Sequence, residues 1–339
     1  MNRNNIFTLN NRHLAVALLG LLLILVSCHR EELPITKNDY PIEFSGISGC
    51  LETKADDNQT LSLPSDFTGF RVWAQNGSNL NVFGASGTEV STSDGGQTWT
   101  YSPVRYWQAG TYNFYAVSPK DIATGSLVNG ALNLTFANGW NLSSQTDIML
   151  ATAPNITGRF NTDDTPAAVE LVFNHLLSKI GFSVKNVDTN NATIKVTSVS
   201  ISGNHKSVSS YSTTSGWSWQ GDDRATSQTL PLANSAGVTL STTTYTSITS
   251  SEGVIVFPET DCTISVSVTF DQQKGNLTTP ATKTATISNQ SWQPGYKYDY
   301  KLTVTADAIK IDSDPDVTPW GEGGSADTSI GSTDKPIEF

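Results

Sequence analysis

Three acidic residues at alternate positions form the pattern in this chain that comes nearest to a metal-binding loop. Asp312, Asp314 and Asp316 could offer carboxylate oxygens to a calcium ion, because calcium loops take ligands from alternate positions. Such loops place glycine at the sixth position, where the chain turns sharply. Here Val317 occupies that position and Pro315 interrupts the run, so we interpret the segment as a solvated acidic linker.

The histidines are the second candidates for chemistry, either acid–base catalysis or metal ligation. Beyond the N-terminal segment described below, the chain contains His29, His175 and His205, and none has a cysteine, histidine or carboxylate partner at metal-ligand spacing. Metalloprotease, serine-hydrolase, P-loop and dinucleotide-binding motifs are absent from the sequence. Because His175 stands between Phe173 and Leu177, we expect a hydrogen-bonded core histidine there. The sequence therefore predicts no enzymatic activity, no metal and no cofactor.

Residues 92–99, Thr-Ser-Asp-Gly-Gly-Gln-Thr-Trp, match the Asp-box pattern, which recurs several times in sialidases but occurs once here. A single copy is typical of a hairpin turn, in which Gly95 and Gly96 adopt positive φ and Trp99 packs back on the sheet. We therefore predict a turn and no glycosidase site.

Two tryptophans could bind sugars by stacking. Trp217 and Trp219 would point to the same face of any strand they share. Such a pair either caps the core of a β-sandwich or offers a platform to sugar rings, and we favour the core.

The N-terminus carries the pattern of an exported protein. Residues 14–26 are apolar, follow Arg3 and Arg12, and are too few to span a bilayer comfortably, which is typical of a signal peptide. Leu25-Val26-Ser27-Cys28 resembles a bacterial lipobox, which predicts removal of residues 1–27 and lipidation of Cys28 by palmitate-like acyl chains. An uncleaved anchor and an ordinary secretory signal are the alternatives.

The residues that follow Cys28 bear on where the protein is displayed. Residues 29–32, His-Arg-Glu-Glu, resemble the surface-export signal of Bacteroidetes lipoproteins, and a polar tether is the alternative. We therefore expect a lipid-anchored, surface-exposed protein of the bacterial outer membrane. Cys50 and Cys262 lie more than two hundred positions apart, so we favour two unpaired thiols over a disulfide in the exported protein.

Composition limits the structural class and the partners. Of the 339 residues, 37% are hydrophobic and only 15% are charged, which argues against a disordered chain and a coiled coil. The net charge is −11, and it becomes −13 when residues 1–27, which hold two arginines and no acid, are removed. Because no Lys/Arg cluster offsets this charge, we expect no nucleic-acid partner.

Strand patterns run along the whole chain. Apolar and polar residues alternate most clearly over Tyr296–Val304 and residues 264–270, which is the period of a strand with one buried face. Further candidates are residues 70–74, 104–107, 112–117, 131–136, 148–151, 169–173, 180–185, 193–201 and 254–257. We predict an all-β protein with two tandem β-sandwiches. The predicted divisions are a signal peptide (1–27), a tether (28–39), two sandwiches (40–160 and 166–306) and an acidic Gly/Ser-rich tail (307–339).

The aromatic residues of the first half are similar to a known pattern. Residues 99–107, Trp-Thr-Tyr-Ser-Pro-Val-Arg-Tyr-Trp, and 112–119, Tyr-Asn-Phe-Tyr-Ala-Val-Ser-Pro, resemble the signature of the fimbrillin family of Bacteroidetes, and residues 147–151, 169–180 and 292–298 follow the family's order. The resemblance implies transthyretin-like β-sandwich domains, a lipoprotein precursor, and either assembly with other subunits into type V pili (fimbriae) or display as an adhesin. It also implies host protein or glycan ligands.

In that family a protease cuts after a basic residue near the N-terminus, and a strand of the next subunit fills the groove that the first strand leaves. Pro41-Ile42-Glu43-Phe44 recurs in this chain as Pro336-Ile337-Glu338-Phe339. Ile42 and Phe44 would belong to the displaced strand, and Ile337 and Phe339 to the donor strand, with equal spacing of their apolar side chains. Such head-to-tail pairing builds a filament.

The cleavage that would open the groove has two candidate positions. Lys54 follows the first strand and is our candidate, whereas a cut at Arg30 would not release the strand. The alternative function is a monomeric glycan-binding surface lipoprotein that uses exposed tryptophans such as Trp217 and Trp219.

Overall fold

The computed structural model describes residues 40–48, 67–77, 79, 81–141, 145–158, 166–219, 223–250, 253–312 and 314–320. These residues form β-strands and no α-helix, which confirms the predicted all-β class. Nowhere in the described part of the chain is there a helix that could cross a membrane. The strands are β1 (Phe44–Ser48), β2 (Gly69–Asn76), β3 (Thr88–Ser91), β4 (Thr111–Ser118), β5 (Thr124–Val128), β6 (Ala131–Asn141), β7 (Met149–Thr157), β8 (Val169–His175), β9 (Ser178–Asn186), β10 (Thr193–Ser202), β11 (Ser207–Ser212), β12 (Gly216–Trp219), β13 (Gln228–Leu230), β14 (Val238–Thr239), β15 (Thr246–Ser247), β16 (Val254–Val256), β17 (Glu259–Lys274), β18 (Leu277–Trp292), β19 (Tyr296–Val304), β20 (Ile309–Ile311) and β21 (Asp316–Pro319).

The first sheet has six strands in the order β1-β8-β7-β4-β2-β3. All its neighbours are antiparallel except β1 and β8, which run parallel with Phe44 opposite Val169. Apolar residues alternate along these strands, so one face of the sheet carries a continuous core. β1 lies at the edge of this sheet and covers one side of that core.

The position of β8 corrects the sequence interpretation. Residues 157–167 were expected to separate two sandwiches, which would place Val169–His175 in the second one. Instead β8 pairs antiparallel with β7, with Met149 opposite His175, and it also carries β1. The segment expected to be a boundary therefore joins two neighbouring strands of one sheet. Polar composition alone does not distinguish such a connection from a linker between domains.

A second, four-stranded sheet draws strands from both halves of the sequence in the order β12-β11-β6-β5. β6 pairs antiparallel with β11, and Leu134 lies opposite Tyr211. Strands that are distant in sequence share this sheet, so its composition does not follow the predicted division of the chain. The two tandem sandwiches therefore stay a prediction.

The third and fourth sheets bury their apolar faces in one core. The third sheet has the order β13-β10-β17-β18 and includes the long hairpin of β17 and β18, whereas the fourth has the order β15-β9-β19-β20. The core takes alternate residues of β10 and β17 from the third sheet and of β9 and β19 from the fourth. β19 has the bounds that its alternating pattern predicted.

The beginning of the expected tail belongs to the fold. β20 and β21 both pair with β19, and Trp320 is buried. The predicted boundary at residue 307 was therefore wrong for residues 309–320. The acidic composition of this segment concealed it, because its strands are short and expose their charged side chains on the edge of the fourth sheet.

Candidate functional site: the groove of the N-terminal strand

The N-terminal segment 40–48 is held along two walls. On one side, β1 pairs with β8, and the Val169 N–H donates to the Glu43 carbonyl oxygen at 2.7 Å. On the other side, the Ile42 N–H donates to Arg105 O at 2.8 Å and the Trp107 N–H donates to Tyr40 O at 3.0 Å. The segment thus lies in a groove between β8 and residues 101–107. We call this groove the strand groove and residues 101–107 the wall.

Two side chains of the segment fill the floor of the strand groove. Ile42 is fully buried and Phe44 is 6% exposed, while Glu43 between them points to solvent. Four aromatic rings surround Phe44 at centroid distances of 5.6–6.1 Å, those of Phe70, Phe83, Tyr101 and Phe114. Burial of two such side chains stabilises the bound strand by roughly 3–6 kcal/mol.

Tyr101 joins the strand to its wall. Its hydroxyl donates to the Ile42 carbonyl oxygen at 2.7 Å and accepts from the Arg105 N–H at 3.2 Å. Burial raises the pKa of Tyr101, so the hydroxyl keeps its proton at neutral pH and stays a donor. One side chain therefore satisfies backbone groups of both the strand and the wall.

The wall keeps unused hydrogen-bonding capacity. Among the described residues, Trp99 Nε1, Arg105 Nε and Trp107 Nε1 are buried without a hydrogen-bond partner. All three lie in the nine-residue stretch 99–107, and unsatisfied groups of this kind are rare in protein interiors.

The Asp-box segment supports the groove from behind, and its predicted turn is confirmed. The Asp94 carboxylate accepts from the Thr92 hydroxyl at 2.7 Å and from the Thr98 N–H at 2.9 Å. These hydrogen bonds, that from Thr92 first, lower the pKa of Asp94 to about 2. Gly95 and Gly96 have positive φ, and Trp99 packs on Phe70 at 5.1 Å.

Only some of the residues predicted to take part in lipidation, cleavage and strand exchange fall within the described residues. Ile42 and Phe44 lie together in the strand groove, as their shared apolar face predicted. Cys28, Lys54, Ile337 and Phe339 lie outside the described residues. Residues 104–107, expected to be a strand, make only an isolated bridge between Tyr106 and Pro41.

Sequence reasoning did not assign a role to the wall. Tyr101, Trp107 and Phe114 belong to the aromatic pattern in the first half of the chain, and they surround Ile42 or Phe44 or lie beside them. The aromatic pattern marked these three residues as a group. The segment that they contact, which contains Ile42 and Phe44, lies about sixty positions earlier in the chain, so only the tertiary fold reveals the contact.

The histidines have structural partners. His175 Nδ1 lies 2.6 Å from Asp147 Oδ2 and its ring stacks on Trp320 at 4.1 Å, which confirms the expected hydrogen-bonded core histidine. His205 Nδ1 lies 3.0 Å from Glu259 Oε1, and Arg224 Nη1 lies 3.3 Å from the second carboxylate oxygen. Burial lowers the pKa of His205, against the charge of Glu259. Fifty-four positions separate these partners, so spacing could not predict them.

The remaining candidates are also packed or paired. Trp217 and Trp219 are half-buried and meet the Phe257 ring at 5.4 and 5.2 Å, which favours the core interpretation. Asp316 forms an ion pair with Lys301 at 2.8 Å. Within the described residues, no group of three His, Cys, Asp or Glu could hold a metal ion.

Cys262 is the described cysteine, and it carries a free thiol that points from β17 into the core. Burial, helped by the nearby Glu259 charge, raises the pKa of Cys262 to about 12. The thiol is therefore unreactive at neutral pH. Cys50 lies outside the described residues.

Comparison with known proteins gives one family and several similar folds. The family model described as "Fimbrillin-like" matches residues 53–320. A fimbrial protein from Bacteroides vulgatus ATCC 8482 has 17% sequence identity and a TM-score of 0.59, with 83% of this chain and 100% of that chain covered. No curated protein sequence matches the chain significantly.

Two further solved structures share the fold. A protein assigned to cell adhesion from Bacteroides ovatus ATCC 8483 has 16% identity and a TM-score of 0.52, covering 83% of this chain and 98% of that chain. Another, from Parabacteroides distasonis ATCC 8503, has 10% identity and a TM-score of 0.52, covering 85% and 99%. At these identities the likeness concerns the fold.

Proposed function

The chain belongs to the fimbrillin-like family, and on that premise we propose that it is a non-enzymatic cell-surface subunit of a pilus, or an adhesin, that assembles by donor-strand exchange. The observation that carries this proposal is the strand groove. Segment 40–48 is bound there at a sheet edge by a backbone ladder and two buried side chains, which is how an exchangeable strand is held.

Removal of segment 40–48 would open a site with defined chemistry. The edge of β8 would present unpaired backbone groups, and Phe70, Phe83 and Phe114 would lose the ring that covers them. Such an edge is a template for another strand. An aromatic pocket beside the edge fixes the register of that strand, because a slip by one residue would turn its apolar side chains outward.

Residues 336–339 match segment 41–44 position by position in sequence. The wall hydrogen-bonds to Tyr40 O and to both backbone groups of Ile42, so proline at position 41, or Pro336 in its place, leaves no donor missing. Ile337 and Phe339 would replace the two buried side chains, and Glu338 would point to solvent like Glu43.

We assign the opening of the groove to hydrolysis of the peptide bond after Lys54, which lies six residues beyond the end of β1. A cut there leaves segment 40–48 attached to the body by non-covalent contacts alone. A cut after Arg30 would precede the whole segment and leave it attached through residues 49–66.

The same N-terminal fragment would hold the membrane anchor. Acylation of Cys28 supports an unprocessed protein that is tethered to the outer membrane and displayed at the surface. Processed chains would join a fimbrium with other pilus subunits as partners. Host proteins or glycans are the ligands that an adhesin of this kind would contact.

Deletion of residues 336–339 tests the proposal. We expect the processed full chain, concentrated to the millimolar range, to form a ladder of heat-stable oligomers on gels, and the deletion variant to stay monomeric at the same concentration. A matched control deletes four residues of the preceding segment, 324–327, and should keep the ladder. Unchanged ladders without residues 336–339 would contradict donor-strand exchange by this segment.

A further inference from the structure

The described part of the chain ends beside the strand that borders the strand groove. Trp320 stacks on His175, the last residue of β8, with ring centroids 4.1 Å apart and planes within 3°. The backbone N–H of Trp320 donates to Gly295 O at 2.7 Å, and the Lys179 ammonium lies 4.1 Å from the centroid of the Trp320 ring. The chain that leads to the donor segment 336–339 therefore starts from Trp320, which is fixed at one end of β8.

The distance from that point to the groove can be estimated from β8 itself. Six residue steps separate His175 from Val169, which faces Phe44, and Pro41 lies three steps earlier. At about 3.3 Å per step, Pro41 is about 30 Å from the His175 end.

The chain between Trp320 and Pro336 has a matching length. It comprises sixteen steps and is rich in glycine and serine. Fully extended, it would span at most about 55 Å. As a random coil of this composition, its r.m.s. end-to-end distance is about 20–24 Å. A path of about 30 Å lies between these values, so the segment can reach the groove of its own chain.

Strand direction is compatible with this path. Because β1 runs parallel to β8, an incoming strand starts at the Val169 end and points back toward His175. The connecting chain must therefore run past β8 and reverse. The excess of about 25 Å of contour length over the direct path leaves room for that reversal.

We infer that segment 336–339 of the same chain is the first occupant of the opened groove, so that a processed subunit closes on itself before it joins a neighbour. This inference rests on the proposed function. A segment tethered by a short linker has an effective concentration of the order of millimolar. Micromolar subunits would therefore stay monomeric, and assembly would begin where the local subunit concentration approaches the millimolar range.

Cross-linking between two introduced cysteines tests the inference. Extended by one residue beyond Phe44 and Val169, the β1–β8 register places Ala168 beside Glu43, which Glu338 would replace. We therefore place Ala168→Cys and Glu338→Cys in the full chain, process it at Lys54, remove the fragment and add a bismaleimide. Cys28 and Cys50 leave with the fragment, and Cys262 is buried.

The expected product at micromolar concentration is a cross-linked monomer, in a yield that does not change on tenfold dilution. Two controls should give no monomeric cross-link. One is the unprocessed chain with Cys28→Ser and Cys50→Ser, in which β1 fills the groove, and the other is a processed chain with Thr284→Cys, exposed on β18, instead of Ala168→Cys. Equal cross-linking in the unprocessed chain would overturn the inference.

A shortened linker separates self-closure from assembly. Deletion of residues 322–331 leaves six steps, about 20 Å, which cannot cover the path of about 30 Å. We expect this variant to lose the monomeric product and keep intermolecular ones. If the unshortened chain gives only intermolecular ladders, self-closure is wrong and donor-strand exchange stands. If neither chain gives any cross-link, both proposals fail.

Discussion

The hydroxyl of Tyr101 lies 2.7 Å from the carbonyl oxygen of Ile42, fifty-nine positions earlier in the chain. Through this hydrogen bond, a residue of the aromatic wall holds the backbone of the segment that we propose to be exchanged. Replacement of Tyr101 by phenylalanine keeps the ring against Phe44 and Phe83 and removes only the hydroxyl.

Tyr101→Phe should loosen the N-terminal strand. A typical hydrogen bond contributes about 1 kcal/mol, so we expect the processed chain to release its 28–54 fragment roughly fivefold more readily. The measurement is the dissociation of a fluorescently labelled fragment after cleavage at Lys54. Tyr106→Phe is the matched control, since its side chain is half exposed. An unchanged dissociation constant for Tyr101→Phe would show that the hydroxyl does not hold the strand.

Phe44→Ala should weaken the strand more severely. Truncation of a buried phenylalanine costs about 3–5 kcal/mol. The Val169 N–H, which donates to Glu43 O, should therefore exchange with solvent deuterium about two to four orders of magnitude faster. Glu43→Ala alters an exposed side chain of the same strand and should leave that exchange rate nearly unchanged. Equal rates in the two variants would argue against Phe44 as an anchor.

Asp94 makes the Asp-box turn sensitive to acid. Its pKa is lowered from 3.8 to about 2 in the folded chain, so the ionised carboxylate stabilises the fold above pH 3.8 and this contribution is lost as the pH falls through about 2. Asp94→Asn should therefore lower the midpoint of thermal unfolding at pH 7, and the difference from the unmutated protein should shrink toward pH 2. A difference that is constant from pH 7 to pH 2 would contradict this assignment.

Trp320→Ala tests whether residues 309–320 belong to the fold. The variant loses the stack on His175 and the contact with Lys179, and removal of a buried tryptophan side chain costs about 3–5 kcal/mol. Urea unfolding should report this loss. Val317→Ala, on the neighbouring β21 and 38% exposed, should change stability by less than about 0.5 kcal/mol. Equal effects would mean that Trp320 is not part of the packed structure.

Local patterns predicted the strands well and their partners poorly. The alternation over Tyr296–Val304 predicted β19 with its observed bounds, because burial of one face imposes a period of two on the sequence itself. Pairing between β1 and β8 joins residues 125 positions apart, and no local pattern encodes it. For the same reason the polar segment 157–167 could be taken for a domain boundary.

The strand groove was partly predictable. Ile42 and Phe44 share a face because they are two residues apart, and the sequence predicted that both would be apolar anchors. The parallel direction of β1 and the hydrogen bond from Tyr101 depend on the tertiary fold. The acidic residues near the end hid the burial of Ile309 and Trp320, since composition reports the average of a segment and not its contacts.

Occupation of the strand groove by the chain's own β1 also bears on filament length. Under the proposed assembly, a processed chain is a bifunctional monomer, with one donor segment and one open acceptor. An unprocessed chain would be monofunctional, because β1 blocks its acceptor and only its donor segment could join a neighbour. In a head-to-tail polymer such a molecule acts as a chain stopper. The extent of proteolysis would then set the mean degree of polymerisation, and the stopper at the end of each filament would be the one subunit that still carries the lipid.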